Sequence, residues 1–369
     1  MDYPFLFASL LKIVGILFVV ILPMVSYSVY AERRISAFIQ DRPGPNRVGP
    51  AGIFQPIADT LKLLLKEDFT PRGVNTFYYW LAPALAMMPA IITIAVVPFG
   101  SSLFGVPMVI ADLNVGILFV FAISSLGVYG IVIAGWASNS KYPFLGGVRA
   151  SSQMISYELS LGLAVIPIFL MVGQLRLTEV VRYQIDHGWM IAPFLGDWTN
   201  PAKWLLTVPM LISFIVFMIA IFAETNRLPF DLPEAEQELA GGYHTEYSSM
   251  KFALFFLGEY AAMITGSAVV VTLFLGGWHL PLPSWSGGFH WVLIDGSAAG
   301  WPGVLGGLFN IATFFGKVAM LLVFFIWVRW TLPRFRYDQL MRLGWVFFFE
   351  IALVNIFLVA IILAYFPAP

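Results

Sequence analysis

From Glu224 to Glu238 the chain gathers the carboxylates Glu224, Asp231, Glu234, Glu236 and Glu238 around one arginine, Arg227. Carboxylates crowded together repel one another when ionised, so at least one holds its proton toward neutral pH. If the end of the run is helical, Glu234 and Glu238 face each other across a single turn. That chemistry suits the handing-on of protons. The plainer alternative is a solvated acidic loop. Against it, Leu228, Phe230, Leu232 and Leu239 interleave with the acids, and Pro229 and Pro233 stiffen the backbone, as in a packed segment.

Other charges stand in apolar surroundings. Glu158, within Ser156-Tyr157-Glu158-Leu159-Ser160, and Glu259, within Gly258-Glu259-Tyr260, each lie one to two turns inside a long apolar run. A carboxylate placed in hydrocarbon costs several kcal/mol on insertion scales, about 2.5–3.5 at the centre, so each must face protein or water. A structural hydrogen bond and a proton-carrying role both satisfy that requirement. Lys317 sits near the middle of a later run. If it meets Glu259, the pair either fixes helix register or relays protons. Glu350 is closer to the end of its run and can reach the interface. At Glu32-Arg33-Arg34 the first run ends; Arg33 and Glu32, together with Asp59, are placed to line the access route of an amphipathic ligand, whereas Arg34 suits an ordinary stop signal.

The elements that position these residues are set by composition. The 369 residues are 59% hydrophobic and only 11% charged, against roughly a quarter charged in soluble domains. Too little polar surface remains for a water-soluble globule, so the expected fold is an all-α integral membrane protein. Eight runs are long enough to cross a bilayer, at roughly 5–30, 78–98, 113–137, 152–173, 204–223, 251–275, 306–329 and 344–366, forming one membrane domain over 1–369. Pro23, Pro83, Pro89, Pro167 and Pro209 predict kinks. Asp2 precedes the first run without a basic leader, as in a span rather than a cleaved signal.

The loops after spans 1, 3, 5 and 7 carry 15 of the 20 basic residues, which predicts those loops cytoplasmic and both termini on the other side. In loop one, Ile53, Phe54, Ile57, Leu61, Leu64 and Leu65 recur at helical spacing, predicting an amphipathic helix over about 51–68 that lies along the membrane or against a partner. Arg42-Pro43-Gly44-Pro45-Asn46 before it predicts a fixed turn. The net charge of −1 argues against nucleic acid as a partner. Without cysteine the chain supplies no thiolate ligand, no nucleotide fingerprint occurs, and His187, His244, His279 and His290 lack metal-ligand spacing. No metal site and no redox centre of its own are expected.

Motifs in all four basic loops point one way: Glu32-Arg33-Arg34 with Gly44-Pro45-Asn46-Arg47-Val48-Gly49-Pro50; Ala58-Asp59 with Lys62; Gly135-Trp136-Ala137-Ser138-Asn139-Ser140-Lys141-Tyr142; Ile155-Ser156-Tyr157-Glu158; Ala223-Glu224-Thr225-Asn226-Arg227 with Pro229-Phe230-Asp231-Leu232; and Pro333-Arg334-Phe335-Arg336-Tyr337-Asp338. Together they resemble the subunit 1 family of respiratory complex I, the proton-pumping NADH:quinone oxidoreductase; in bacteria this is the H-type subunit. The resemblance implies a subunit that joins the peripheral redox arm to the membrane arm and forms much of a quinone chamber. It assigns Glu32, Arg33, Asp59, Arg227, Phe230 and Asp231 to quinone binding. Glu158, Glu224, Glu234, Glu236, Glu238, Glu259 and Lys317 fall to a proton path toward antiporter-like subunits.

It further implies quinone as substrate, with NADH, FMN and iron–sulfur clusters held by partner subunits, and a bacterial inner membrane with periplasmic termini. The stretches 174–203 and 276–305 are longer than in other family versions. Three alternatives stay open: the anchor of a related membrane-bound hydrogenase-type complex, a stand-alone ion transporter, and a purely structural anchor whose acidic run docks a basic partner.

Overall fold

Backbone groups in hydrocarbon find no water, so an apolar chain closes its hydrogen bonds within helices. The computed structural model describes residues 3–195, 200–233, 240–280 and 301–366. Among these residues, eight helices are long and apolar enough to cross a membrane: Ser9–Ile39, Thr76–Val96, Gly116–Ala137, Lys141–Val172, Pro201–Glu224, Ser249–Phe274, Trp301–Thr331 and Tyr337–Tyr365, called spans 1 to 8.

Several helices outrun the apolar windows that predict them. Span 1 continues through Glu32, Arg33 and Arg34 to Ile39, and span 4 begins at Lys141 rather than near 152. Hydropathy marks where hydrocarbon ends; a charged residue at the interface does not stop a helix. Span 1 also contains a wide π-helical stretch, Gly15–Ile21, immediately before Pro23, whose missing N–H disturbs the ladder there. Pro89 and Pro209 lie inside helices, and their own carbonyls accept further hydrogen bonds, from the Thr93 hydroxyl (2.6 Å) and the Asn355 amide (3.0 Å).

Small residues let the spans approach closely, as membrane helices require in the absence of a hydrophobic drive. A Cβ on Gly130 of span 3 would lie 2.5 Å from the Ala86 nitrogen of span 2, and one on Gly146 of span 4 only 2.8 Å from the Tyr243 nitrogen. The first notch seats span 2 against span 3, and the second seats the loop before span 6 against span 4.

The amphipathic helix forms over Gln55–Leu65 and buries none of its own residues; Ile57, Leu61, Leu64 and Leu65 are exposed. Its entry turn is fixed as the prolines and glycines predict. Gly52 has φ +79°, a Cβ there would strike the Pro45 carbonyl at 2.2 Å, and the Tyr30 hydroxyl donates to the Ala51 carbonyl. Its exit is tied to the start of span 6: Ser249 donates to the Leu63 carbonyl (2.9 Å), and Lys251 pairs with Asp68 (3.0 Å) while resting on the Trp80 ring.

At the opposite face, the residues between spans 4 and 5 form a short helix, Leu177–His187. Gln184 binds it under span 6, donating to the Thr272 carbonyl (2.8 Å) and accepting from the Gly276 N–H (2.9 Å). A two-residue hairpin, Ser102–Leu103 with Val106–Pro107, lies between spans 2 and 3.

Candidate functional site

Glu32 and Arg33 are neighbours in sequence but about 100° apart around the helix, and the structure sends them to different places. Arg33 turns outward and pairs with Asp59 of the amphipathic helix at 2.7 Å; Gln55 also donates to Asp59. Glu32 turns inward and is buried. One of its oxygens accepts from Arg329 of span 7 and the other from the Tyr260 hydroxyl of span 6, both at 2.6 Å. The expectation that Glu32 and Arg33 share one access route is therefore corrected: only Arg33 and Asp59 face the amphipathic helix.

From Glu32 the polar series continues inward. The Arg227 guanidinium, 4% exposed, lies 4.3 Å above the Tyr260 ring and 3.5 Å from Glu259. The other oxygen of Glu259 accepts from the Tyr243 hydroxyl at 2.9 Å. Glu259 and Tyr243 then open on a half-open cavity, whose wall also includes Glu224, Ser124 and Asn226. Glu224 has Ser124 as a hydrogen-bonding neighbour and Glu158 close enough to act on it electrostatically. Glu158 itself is half-buried on span 4. Glu32, Glu259 and Glu224 thus form one sequence of acids, linked by tyrosine hydroxyls, Arg227 and a shared cavity, and Glu158 acts on Glu224 through its charge.

The segment after span 5 is held in place from two sides. Gln153 of span 4 donates to the carbonyls of Ala223 and Phe230, both at 2.7 Å. Asp231 accepts from Arg334 at 2.9 Å, and Phe230 packs between Tyr157 and Phe335. Phe230 and Asp231 therefore serve here as anchors of the segment that delivers Arg227. Glu234, Glu236 and Glu238 lie outside the described residues. Nearby, burial lifts the Tyr247 hydroxyl well above the usual tyrosine range, keeping it protonated.

Lys317 is not in this series. Its ammonium donates to the carbonyls of Leu275, Gly277 and His279, at the far end of span 6. Arg329, twelve residues along the same helix, marks the level of Glu32, so Lys317 lies about 18 Å away along the axis. The pairing with Glu259 that the sequence left open is not made. Glu259 has Arg227 and Tyr243 instead.

Reasoning from the sequence missed Tyr243, Tyr260, Ser124 and Gln153, and assigned Arg329 and Arg334 to topology alone. Hydroxyls and amides in apolar runs carry no periodic signal. The one available hint was the tyrosine next to Glu259.

The chain that carries this buried acid series matches the sequence profile of the NADH dehydrogenase family over residues 11–360. This chain belongs to the NADH dehydrogenase family. Among its relatives is an H-type membrane component of the NADH-quinone oxidoreductase of Geobacter metallireducens, 48% identical over 347 residues and covering 93% of each chain. NADH-quinone oxidoreductase subunit 8 of Rhodothermus marinus is also 48% identical, over 92% of this chain and 93% of its own. The H-type counterpart from Rhodospirillum centenum is 48% identical over 95% of this chain and 92% of its own. The family match therefore reaches all eight spans and every described residue of the acid series.

Proposed function

We propose that this chain is the H-type membrane subunit of an NADH-quinone oxidoreductase, and that its buried acids carry protons inward from a quinone chamber at the Arg/Lys-rich face. The observation that carries this reading is the cavity that brings Glu224 and Glu259 onto one wall, with Glu259 joined through Arg227 and Tyr260 to Glu32. The positive-inside rule makes that face cytoplasmic in a bacterial inner membrane. There it meets the subunits that hold NADH, FMN and iron–sulfur clusters, while antiporter-like subunits lie within the membrane.

Two-electron reduction of a quinone takes up two protons. The Arg33–Asp59 pair, half-exposed between span 1 and the amphipathic helix, stands at the mouth through which an amphipathic quinone enters. Arg227, on the segment that Phe230 and Asp231 anchor, completes the chamber's inner side. A carboxyl that gives up its proton gains a negative charge, and Arg227 shifts its pairing in response. The next acid in the series, facing a new negative charge and left by its cation, then becomes the better proton acceptor. Water in the cavity bridges Glu259 to Glu224, and Glu158 receives the proton beyond. Glu234, Glu236 and Glu238, which follow Asp231 in the sequence, are assigned to the same path. No step requires a redox group on this chain.

Glu158→Gln and Glu224→Gln, made in the assembled complex, test the proposal. Oxidation of NADH by a hydrophilic acceptor reports how much complex assembles. Quinone-linked proton pumping per complex is expected to fall roughly tenfold or more, the scale of losing a proton-transfer group. Normal pumping in both assembled variants would refute it.

A further inference from the structure

The far end of span 6 carries a second built feature that the acid series does not use. The carbonyls of Leu275, Gly277 and His279 converge on Lys317 Nζ at 2.6, 3.0 and 2.6 Å. The Trp189 ring covers the ammonium at 4.5 Å. This convergence is a product of the backbone, since Gly276 and Gly277 adopt φ values of +72° and +53°, which turn successive carbonyls toward one point. A Cβ on Gly276 would meet Trp189 at 2.4 Å, so the ring and the turn are fitted to each other. Carbonyl dipoles and an aromatic face are a cation's surroundings.

Lys317 is 8% exposed, and among the described residues no carboxylate pairs with it. Dipoles soften its charge but do not cancel it. The cavity that holds Glu224 adjoins a second one that follows span 6 past Thr265 to Val269. Leu275 lies six residues further along the chain, about 9 Å at helical rise. A pocket that starts at the acids thus extends along span 6 in the direction of Lys317.

The geometry points to Lys317 as an electrostatic barrier that keeps protons admitted to the acid series from crossing the membrane through this subunit. The inference rests on reading that series as a proton path. An ammonium held by carbonyls repels hydronium in low-dielectric surroundings, as charged constrictions do in water channels. The neighbouring His279 is no relay around it. Burial and the Lys317 charge hold its pKa down at about 4, so the ring is neutral at working pH.

The test measures passive proton conductance, without NADH, of vesicles holding the whole complex. Lys317→Met removes charge and hydrogen bonds; Lys317→Gln keeps two N–H donors for the carbonyls without the charge; Lys317→Arg keeps the charge. Conductance per complex is expected to rise roughly tenfold in both neutral variants and to stay low in Lys317→Arg. Adding Glu224→Gln to Lys317→Met is expected to close the leak. A tight Lys317→Gln or a leaky Lys317→Arg overturns the proposal. So does failure of both neutral variants to assemble beside an assembled Lys317→Arg, because the ammonium then serves folding. A leak that survives Glu224→Gln supports the barrier and refutes the acid series as the route, which separates the two readings.

Discussion

The two ends of span 6 solve opposite problems. At its Arg/Lys-rich end, Glu259 and Tyr260 meet Arg227, Glu32 and Arg329, so opposite charges alternate at 2.6–3.5 Å. At its far end, among the described residues, the Lys317 ammonium faces carbonyls and an aromatic ring. Paired charges can rearrange, because each has a partner whose state matters to it. A charge held by backbone dipoles has nothing to exchange with. The first arrangement is suited to change and the second to permanence, and a subunit that passes protons in one direction needs both.

That contrast can be broken most forcefully at Arg227. Replacing it by Met strands Glu259 without its cation in a nearly closed site, and removing one partner of a buried pair costs about 3–5 kcal/mol. Arg227→Met is expected to lose most assembled complex, measured by its yield in membranes, and Arg227→Lys to recover part of it. Equal assembly of Arg227→Met and the parent would show that the charged end is as permanent as the far one.

His279 sharpens the other side. Its folded pKa of about 4 lies below the usual 6.5, so the folded state binds the proton less readily than the unfolded. Stability is undiminished above pH 6.5 and falls as pH drops from there toward 4, by at most about 1.4 kcal/mol per pH unit. Thermal unfolding of the complex, or hydrogen exchange over 275–279, is expected to show this loss, and His279→Gln to flatten it. An unchanged acid profile in His279→Gln would remove His279 as its cause. The smallest structural effect is expected at Asp59, whose pair with Arg33 is half-exposed. Asp59→Asn should cost about 0.2–1 kcal/mol in stability. Its KM for quinone should rise several-fold in steady-state kinetics; an unaltered KM would take the pair away from the chamber mouth.

Much of this was legible in the chain. Apolar runs announce spans, and a carboxylate inside one announces a problem that packing must solve. Glu158, Glu224 and Glu259 stood out for that reason. The solutions were not legible, because the partners come from afar. Nothing near Glu32 in sequence names Tyr260 or Arg329, and nothing near Glu259 names Tyr243. Register between antiparallel helices was equally hidden. Glu259 and Lys317 sit similarly deep in their apolar windows. Yet span 7 runs Lys317 toward the far face, and only the level of Arg329 reveals the offset. The window boundaries failed at Ile39 and Lys141 for a different reason, since hydropathy measures the solvent and not the helix.

The bonds of Glu32 span 228 residues to Tyr260 and 297 to Arg329. At a synthesis rate of about 5–20 residues per second, the first span emerges roughly 15–60 s before Arg329 exists. The Tyr260 hydroxyl becomes available earlier than Arg329, but the buried carboxylate gains its countercharge only when the seventh span arrives.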